Sequence, residues 1–328
     1  IQELSDTQKV TAPWLTDDMI EAHKRELSEL CSDSHWLSDI GEETLKRFRA
    51  RRIASFVMSS NELERTSCSG TDSQFAELIT FIQQPDTERK LPAELASTVW
   101  DWEGEGTVRD SPQARAQALS HVAATCKMFT DAGPSAVSSL SVELLCDVHG
   151  TMFHGSSPSG GESVAVGEWA PGELRCEPLS AGTMEFVNVS SQEEMRENLE
   201  VFVQRLESLL TDPSRKHEDI HKYSIAVWAL NAFLMLHPFR NGNGRMARLI
   251  FAWACAHLYG LDFPVVFSSG GSKPRKKYYQ APRKLQQQGS GVWMMATALQ
   301  SLGVAVRQLK SFCGVEPVSD PILDVQWV

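Results

Sequence analysis

The sequence predicts an all-α fold with one small β-hairpin, and three observations carry that expectation. Apolar residues recur at helical spacing along most of the chain. Capping residues, Gly and Pro fall where those stretches begin and end. Only residues 173–189 break the pattern, holding short β-like runs around a Ser-Ala-Gly turn at 180–182.

Taken in order, residues 16–31 open on a capping Thr16 followed by Asp17 and Asp18, acids that suit a helix N-terminus. Residues 42–60 set Leu45, Phe48, Ile53, Phe56 and Val57 on roughly one face. Helical stretches follow over 75–82, 112–130, 142–153, 192–210, 220–236, 244–259 and 293–309. The segment GSSPSGG, 155–161, has the composition of a loop. The EGEGT stretch near residue 105 suggests a seam, dividing the chain into an N-terminal helical region, 1–105, and a larger helical domain, 106–328.

Composition narrows the function classes. The 31 Lys and Arg against 42 Asp and Glu leave a formal net charge of −11, the wrong sign for a general nucleic-acid binder. Seven cysteines stand scattered without a CxxC pair, which predicts thiols in a reducing, cytoplasmic setting. A targeting signal upstream of Ile1 would lie outside this sequence. The longest apolar run, 225–236, is too short to span a bilayer, so no membrane partner is expected.

The most informative stretch is LHPFRNGNGRMARL, 236–249. The apolar run before it predicts a buried helix that ends near His237, because Pro238 disfavours helical geometry at the residue preceding it. A helix C-terminus favours a protonated imidazole and burial opposes it, so both charge states of His237 stay open here. Asn241, Gly242, Asn243 and Gly244 then supply a tight turn, and the next helix begins at once with the positive end of its dipole at that turn. Arg245 and Arg248, three apart, share one face near the first turn. Backbone donors, a helix N-terminus and two guanidinium forks together describe a polyphosphate site, with His237 at its edge as a general base. The competing reading makes the turn a plain connection between core helices.

HPFRNGNGRMAR resembles the Fic-domain signature HxFx(D/E)GNGRxxR at every fixed position but one, and PGELR, 171–175, precedes the expected hairpin. The resemblance spans about residues 110–300. It implies a Fic-type helical bundle with the hairpin as a flap that aligns a target segment by strand addition. It further implies a protein adenylyltransferase, passing AMP from ATP to a Ser, Thr or Tyr hydroxyl of a target protein. In that role His237 would deprotonate the hydroxyl, and Phe239 would anchor the loop. Gly242, Asn243 and Gly244 would cradle phosphate, while Arg245 and Arg248 would hold the outer phosphates. Tyr278 or Tyr279, within RKKYY, 275–279, falls where the family contacts the base, with core packing the alternative. Asn241 replaces the usual carboxylate that binds Mg²⁺, bringing an oxygen but no charge, so metal affinity and activity should fall.

SSNELERT, 59–66, resembles the family's inhibitory motif (S/T)xxxE(G/N), with Ser60 and Glu64 in place and Arg65 where Gly or Asn is usual. Its position before the main motif implies inhibition in cis, Glu64 competing with phosphate for Arg248. Partners implied are ATP with Mg²⁺, the target hydroxyl and a second copy of the chain. Two other functions stay open: a nucleotide-binding regulatory protein with little transferase activity, and removal of AMP from a modified protein. HEDIH, 217–221, satisfies the HExxH zinc pattern, with His257 a nominal third ligand, but its charged neighbours read as a solvated helix start. KPRKK, 273–277, reads as a basic rim around a nucleotide or target site.

Overall fold

In a computed structural model of the chain, residues 17–32, 40–64, 72–84, 111–131, 140–153, 170–181, 184–212, 219–267, 280, 282 and 291–314 are described. The described elements are α1 (Asp17–Ser32), α2 (Glu42–Leu63), α3 (Asp72–Ile82), α4 (Pro112–Asp131) and α5 (Val142–Met152), then β1 (Ser180–Ala181) and β2 (Met184–Glu185). They continue with α6 (Gln192–Thr211), α7 (Asp219–Leu236), α8 (Asn243–Tyr259) and α9 (Val292–Phe312). Among the described residues the fold is all-α with one two-stranded hairpin.

Helix α8 is the axis of the core. From Met246 to Ala256 every side chain is buried, Arg248 included. A helix apolar around its whole circumference can only be stable when covered on all sides. Helix α7 packs along it, and α2, α4 and α6 close around it. Helices before and after the expected seam pack on each other: α1 lies on α9, and α2 and α3 lie on α4. One apolar cluster runs from Ile20 to Leu309 through all of them.

Side-chain caps explain two of the helix starts. Ser141 and Ser191 cap α5 and α6, accepting the N–H groups of Leu144 and Glu194, each at 3.1 Å. Helix α2 runs beyond residue 60 to Leu63, with Glu64 as its C-cap. Periodicity missed that last turn because its buried residues include Ser60 and Asn61, whose partners are polar.

The hairpin lies where alternation placed it, but the turn does not. Ser180 pairs with Glu185 and Ala181 with Met184, so 180 and 181 are strand residues and not turn residues. Composition points to a turn in this stretch but does not fix the register, because a shift of one residue moves every side chain to the other face. No helix among the described residues is long and apolar enough to cross a membrane.

Candidate active site

The last turn of α7, the turn after it and the first turn of α8 carry the side chains expected to do chemistry. Helix α7 ends at Leu236, and His237 follows with φ +50. The His237 Nδ1–H donates to the Leu234 carbonyl at 3.1 Å. A carbonyl only accepts, so this bond fixes the tautomer and leaves the Nε2 lone pair as the basic site. Burial pushes the imidazole pKa down to about 4. The Leu234 bond opposes that shift, Arg175 adds to it, and Glu64 opposes it. At neutral pH His237 is therefore an uncharged base. The Phe186 ring, just past the hairpin, stacks on it at 3.7 Å and 15°.

The turn is closed from within. Asn243 accepts the Phe239 N–H at 3.0 Å and donates back to the Phe239 carbonyl at 2.6 Å. Its side chain thus holds the loop's shape, and only its backbone stays eligible for the expected cradle. Phe239 is fully buried, stacked on His149 at 3.8 Å. Gly242 is the N-cap of α8, with φ +73. A Cβ there would lie 2.3 Å from the Phe153 ring, so conformation and space both demand glycine. The first turn of a helix leaves N–H groups without intrahelical partners, and its dipole favours an anion there.

An anionic group already sits at that end. Arg248, 1% exposed, donates from Nε to the Ser60 hydroxyl at 2.9 Å and from Nη2 to the Glu64 carboxylate at 2.7 Å. Nη2 also reaches the Ser60 carbonyl at 3.1 Å. The same carboxylate oxygen would lie 2.5 Å from a Cβ on Gly244, which places it directly over the start of α8. Arg245 is buried with its guanidinium 4.4 Å above the Phe153 ring. Helix α2 is fixed beside this pair by Asn61, whose Oδ1 meets His121 Nδ1 at 2.9 Å. Burial, and then Arg245 and Arg248, hold the His121 pKa well below the ordinary value.

Asn241 does not fit a metal ligand as it stands. Its Oδ1 accepts the Gly242 N–H at 2.6 Å, and its amide brings no charge to a hard dication. Among the described residues no group of three or more His, Cys, Asp or Glu side chains could hold an ion. Tyr278 and Tyr279, Arg65, the KPRKK stretch and the first two residues of HEDIH lie outside the described residues. His257 stacks on Trp253 within α8.

The sequence of this region has known counterparts. The Fic/DOC family model matches residues 139–255, from just before α5 to near the end of α8. A Fido domain-containing protein of Dictyostelium discoideum is 41% identical over 61 residues, 19% of this chain and 42% of that protein, so the chain spans less than half of its relative's length. The chain carries a Fic domain.

The backbone around that domain is similar to solved Fic structures. A Fic domain containing signaling protein from Bacteroides thetaiotaomicron superposes with a TM-score of 0.57 at 15% identity, over 92% of this chain and 99% of that one. A Fic family protein from Desulfovibrio desulfuricans gives 0.52 at 15%, over 94% and 77%. A fragment of Fic-1 from C. elegans gives 0.52 at 14%, over 89% and 71%. At these identities the likeness is one of fold.

Two residues of the Fic domain support the loop without having been singled out from sequence. His149 in α5 accepts the Gly172 N–H at Nδ1, 2.9 Å away, so its Nε2–H donates to the Asn241 carbonyl at 3.1 Å. Burial pushes its pKa down to about 3, with the Asn241 bond opposing and Arg245 adding. Arg175 grips the end of α7 and both flanks of the hairpin. Both side chains bind backbone groups, which carry no sequence signature. The PGELR stretch pointed to the region and not to the role.

Proposed function

We propose that this Fic domain is a protein adenylyltransferase held inactive by Glu64. The observation that carries the reading is the Glu64 carboxylate on Arg248 and over Gly244, in the place where the outer phosphate of a nucleotide would be held. A carboxylate and a phosphate compete for one guanidinium, so the occupied fork is an inhibited one. Its counterpart is His237, neutral, with Nε2 as the lone-pair nitrogen.

In this reading ATP lays its phosphates along the loop and the first turn of α8, with Arg245 and Arg248 on the outer groups. His237 Nε2 takes the proton of a Ser, Thr or Tyr hydroxyl on the target, and the oxygen attacks the α-phosphorus. The bond to pyrophosphate breaks, and pyrophosphate leaves with its electron pair. The Phe186 stack keeps the imidazole in one orientation. Mg²⁺ would enter with the phosphates; since Asn241 offers it only a neutral oxygen, no step is routed through it.

A second reading is favoured by that same residue. With its oxygen on the Gly242 N–H, Asn241 suits a nucleotide-binding protein that transfers nothing. Labelled ATP offered to the parent, Glu64→Gly and His237→Ala separates the two. Label on Glu64→Gly supports the transferase. Saturable ATP binding without label on any of the three supports the binding protein. Association with a second copy of the chain is part of the proposal and is read from the mass of the protein in solution.

A further inference from the structure

Among the described residues His237 is the one non-glycine with a positive φ, +50. Left-handed geometry costs a side-chain-bearing residue about 1–2 kcal/mol, and such a residue persists only where its surroundings over-determine it. The N-terminal side is held by the helix, since the His237 N–H still donates to the Phe233 carbonyl at 2.9 Å. On the C-terminal side the carbonyls next to His237 are held by Arg175. Arg175 donates from Nε to the His237 carbonyl at 2.6 Å and from Nη2 to the Leu236 carbonyl at 3.0 Å. Its backbone N–H donates to the Pro238 carbonyl at 2.9 Å. The remaining arms of the same fork reach the carbonyls of Glu177 and Val187, one on each flank of the hairpin.

The guanidinium is buried, and burial pushes its pKa down while Glu177 opposes the shift. It stays in place because nearly all its donors end on carbonyls, four of them on side-chain bonds from one planar group. The hairpin has a second tie to the same helix end, from the Val187 N–H to the Met235 carbonyl at 3.0 Å. A Lys could not copy this arrangement, because an ammonium is a point charge with three donors and no fork.

We propose that Arg175 is a positioning residue that fixes the left-handed backbone of His237 and locks the hairpin to it, so that whatever docks on the hairpin is registered to the base. Its catalytic consequence rests on the reading of His237 as the base. Its structural half does not.

The test uses the full chain with Arg175→Lys and Arg175→Met, each alone and in the Glu64→Gly background. Amide hydrogen exchange is followed by peptide, together with Tm, and self-labelling is measured with ATP labelled at the α-phosphate. The expected result is faster exchange confined to peptides over residues 184–189 and 234–240. The maximal labelling rate should fall by roughly 100-fold, with half-saturating ATP unchanged within about twofold. Lys should rescue neither readout although it keeps the charge. If both peptides stay as protected in Arg175→Lys as in the parent, the proposal is overturned. An even loss of protection through the whole chain, or local exchange with an unchanged labelling rate, overturns it as well. Should Arg175→Met fail to fold, Arg175→Lys decides alone. Should Glu64→Gly itself take no label, the transferase reading fails, and the exchange pattern still decides whether Arg175 locks the hairpin to the helix end.

Discussion

The Glu64 carboxylate meets the Arg248 guanidinium at 2.7 Å, joining residues 184 positions apart in the chain. The contact brings the end of α2 onto the first turn of α8, and Ser60 completes it from the same helix turn. Arg248 is buried, so removing one partner of this pair is a large perturbation, on the order of 3–5 kcal/mol for a fully buried pair. The Glu64 side chain is 25% exposed, which brings the expected figure below that range.

Ser60→Ala removes the acceptor for Arg248 Nε and leaves Glu64 in place. One hydrogen bond to a charged donor contributes about 1–3 kcal/mol, so the clamp should weaken by roughly fivefold or more. Self-labelling with α-labelled ATP should therefore rise above the parent and stay below Glu64→Gly. Labelling equal to the parent would remove Ser60 from the clamp.

Gly242→Ala places a methyl group at φ +73 and against the Phe153 ring. Left-handed strain and the clash together should cost on the order of 1–3 kcal/mol, read as a Tm lowered by several degrees. ATP-induced stabilisation, measured by thermal shift, should be lost as well because the N-cap of α8 moves. A variant that keeps both values would show that this backbone conformation is not needed.

The pH dependence of transfer has a definite sign. As the proposed base His237 would act in its neutral form, and burial lowers its pKa to about 4. Its activity should be flat from neutral pH downward and fall only as pH drops through about 4, with no inflection near the ordinary value of about 6.5. The Glu64→Gly background does not reverse this, since Glu64 raises the His237 pKa and its removal lowers it further. The same depressed pKa contributes stability that is complete above about 6.5 and is lost as pH falls toward 4. An inflection near 6.5 in the rate of labelling would contradict the buried, neutral base.

Asn241→Asp restores a carboxylate at the loop. Carboxylate ligands suit Mg²⁺, so the half-saturating metal concentration should fall by about tenfold or more in the Glu64→Gly background. An unchanged metal dependence would show that position 241 does not touch the ion.

The extent to which this was legible in sequence follows from what each residue binds. Helices α7 and α8 were visible because their apolar spacing reports burial directly, and Pro238 and Gly242 mark the break between them. The final turn of α2 was not, because Ser60 and Asn61 are buried against Arg248 and His121, and polar pairs leave no apolar period. Arg248 and Glu64 could be matched only through resemblance to a family motif, since nothing local relates positions 184 residues apart. The Asn243 side chain closes on the Phe239 backbone, a role that its residue type does not announce and that leaves its own N–H for the expected cradle. His149 and Arg175 hold carbonyls, and any residue type supplies a carbonyl.

The most direct test of the account is incorporation of label from α-labelled ATP into the parent, Glu64→Gly and the double variant Glu64→Gly with His237→Ala. The expected result is little label on the parent, strong label on Glu64→Gly and none on the double variant. Equal label on the parent and Glu64→Gly would contradict inhibition by Glu64, and label surviving in the double variant would contradict His237 as the base.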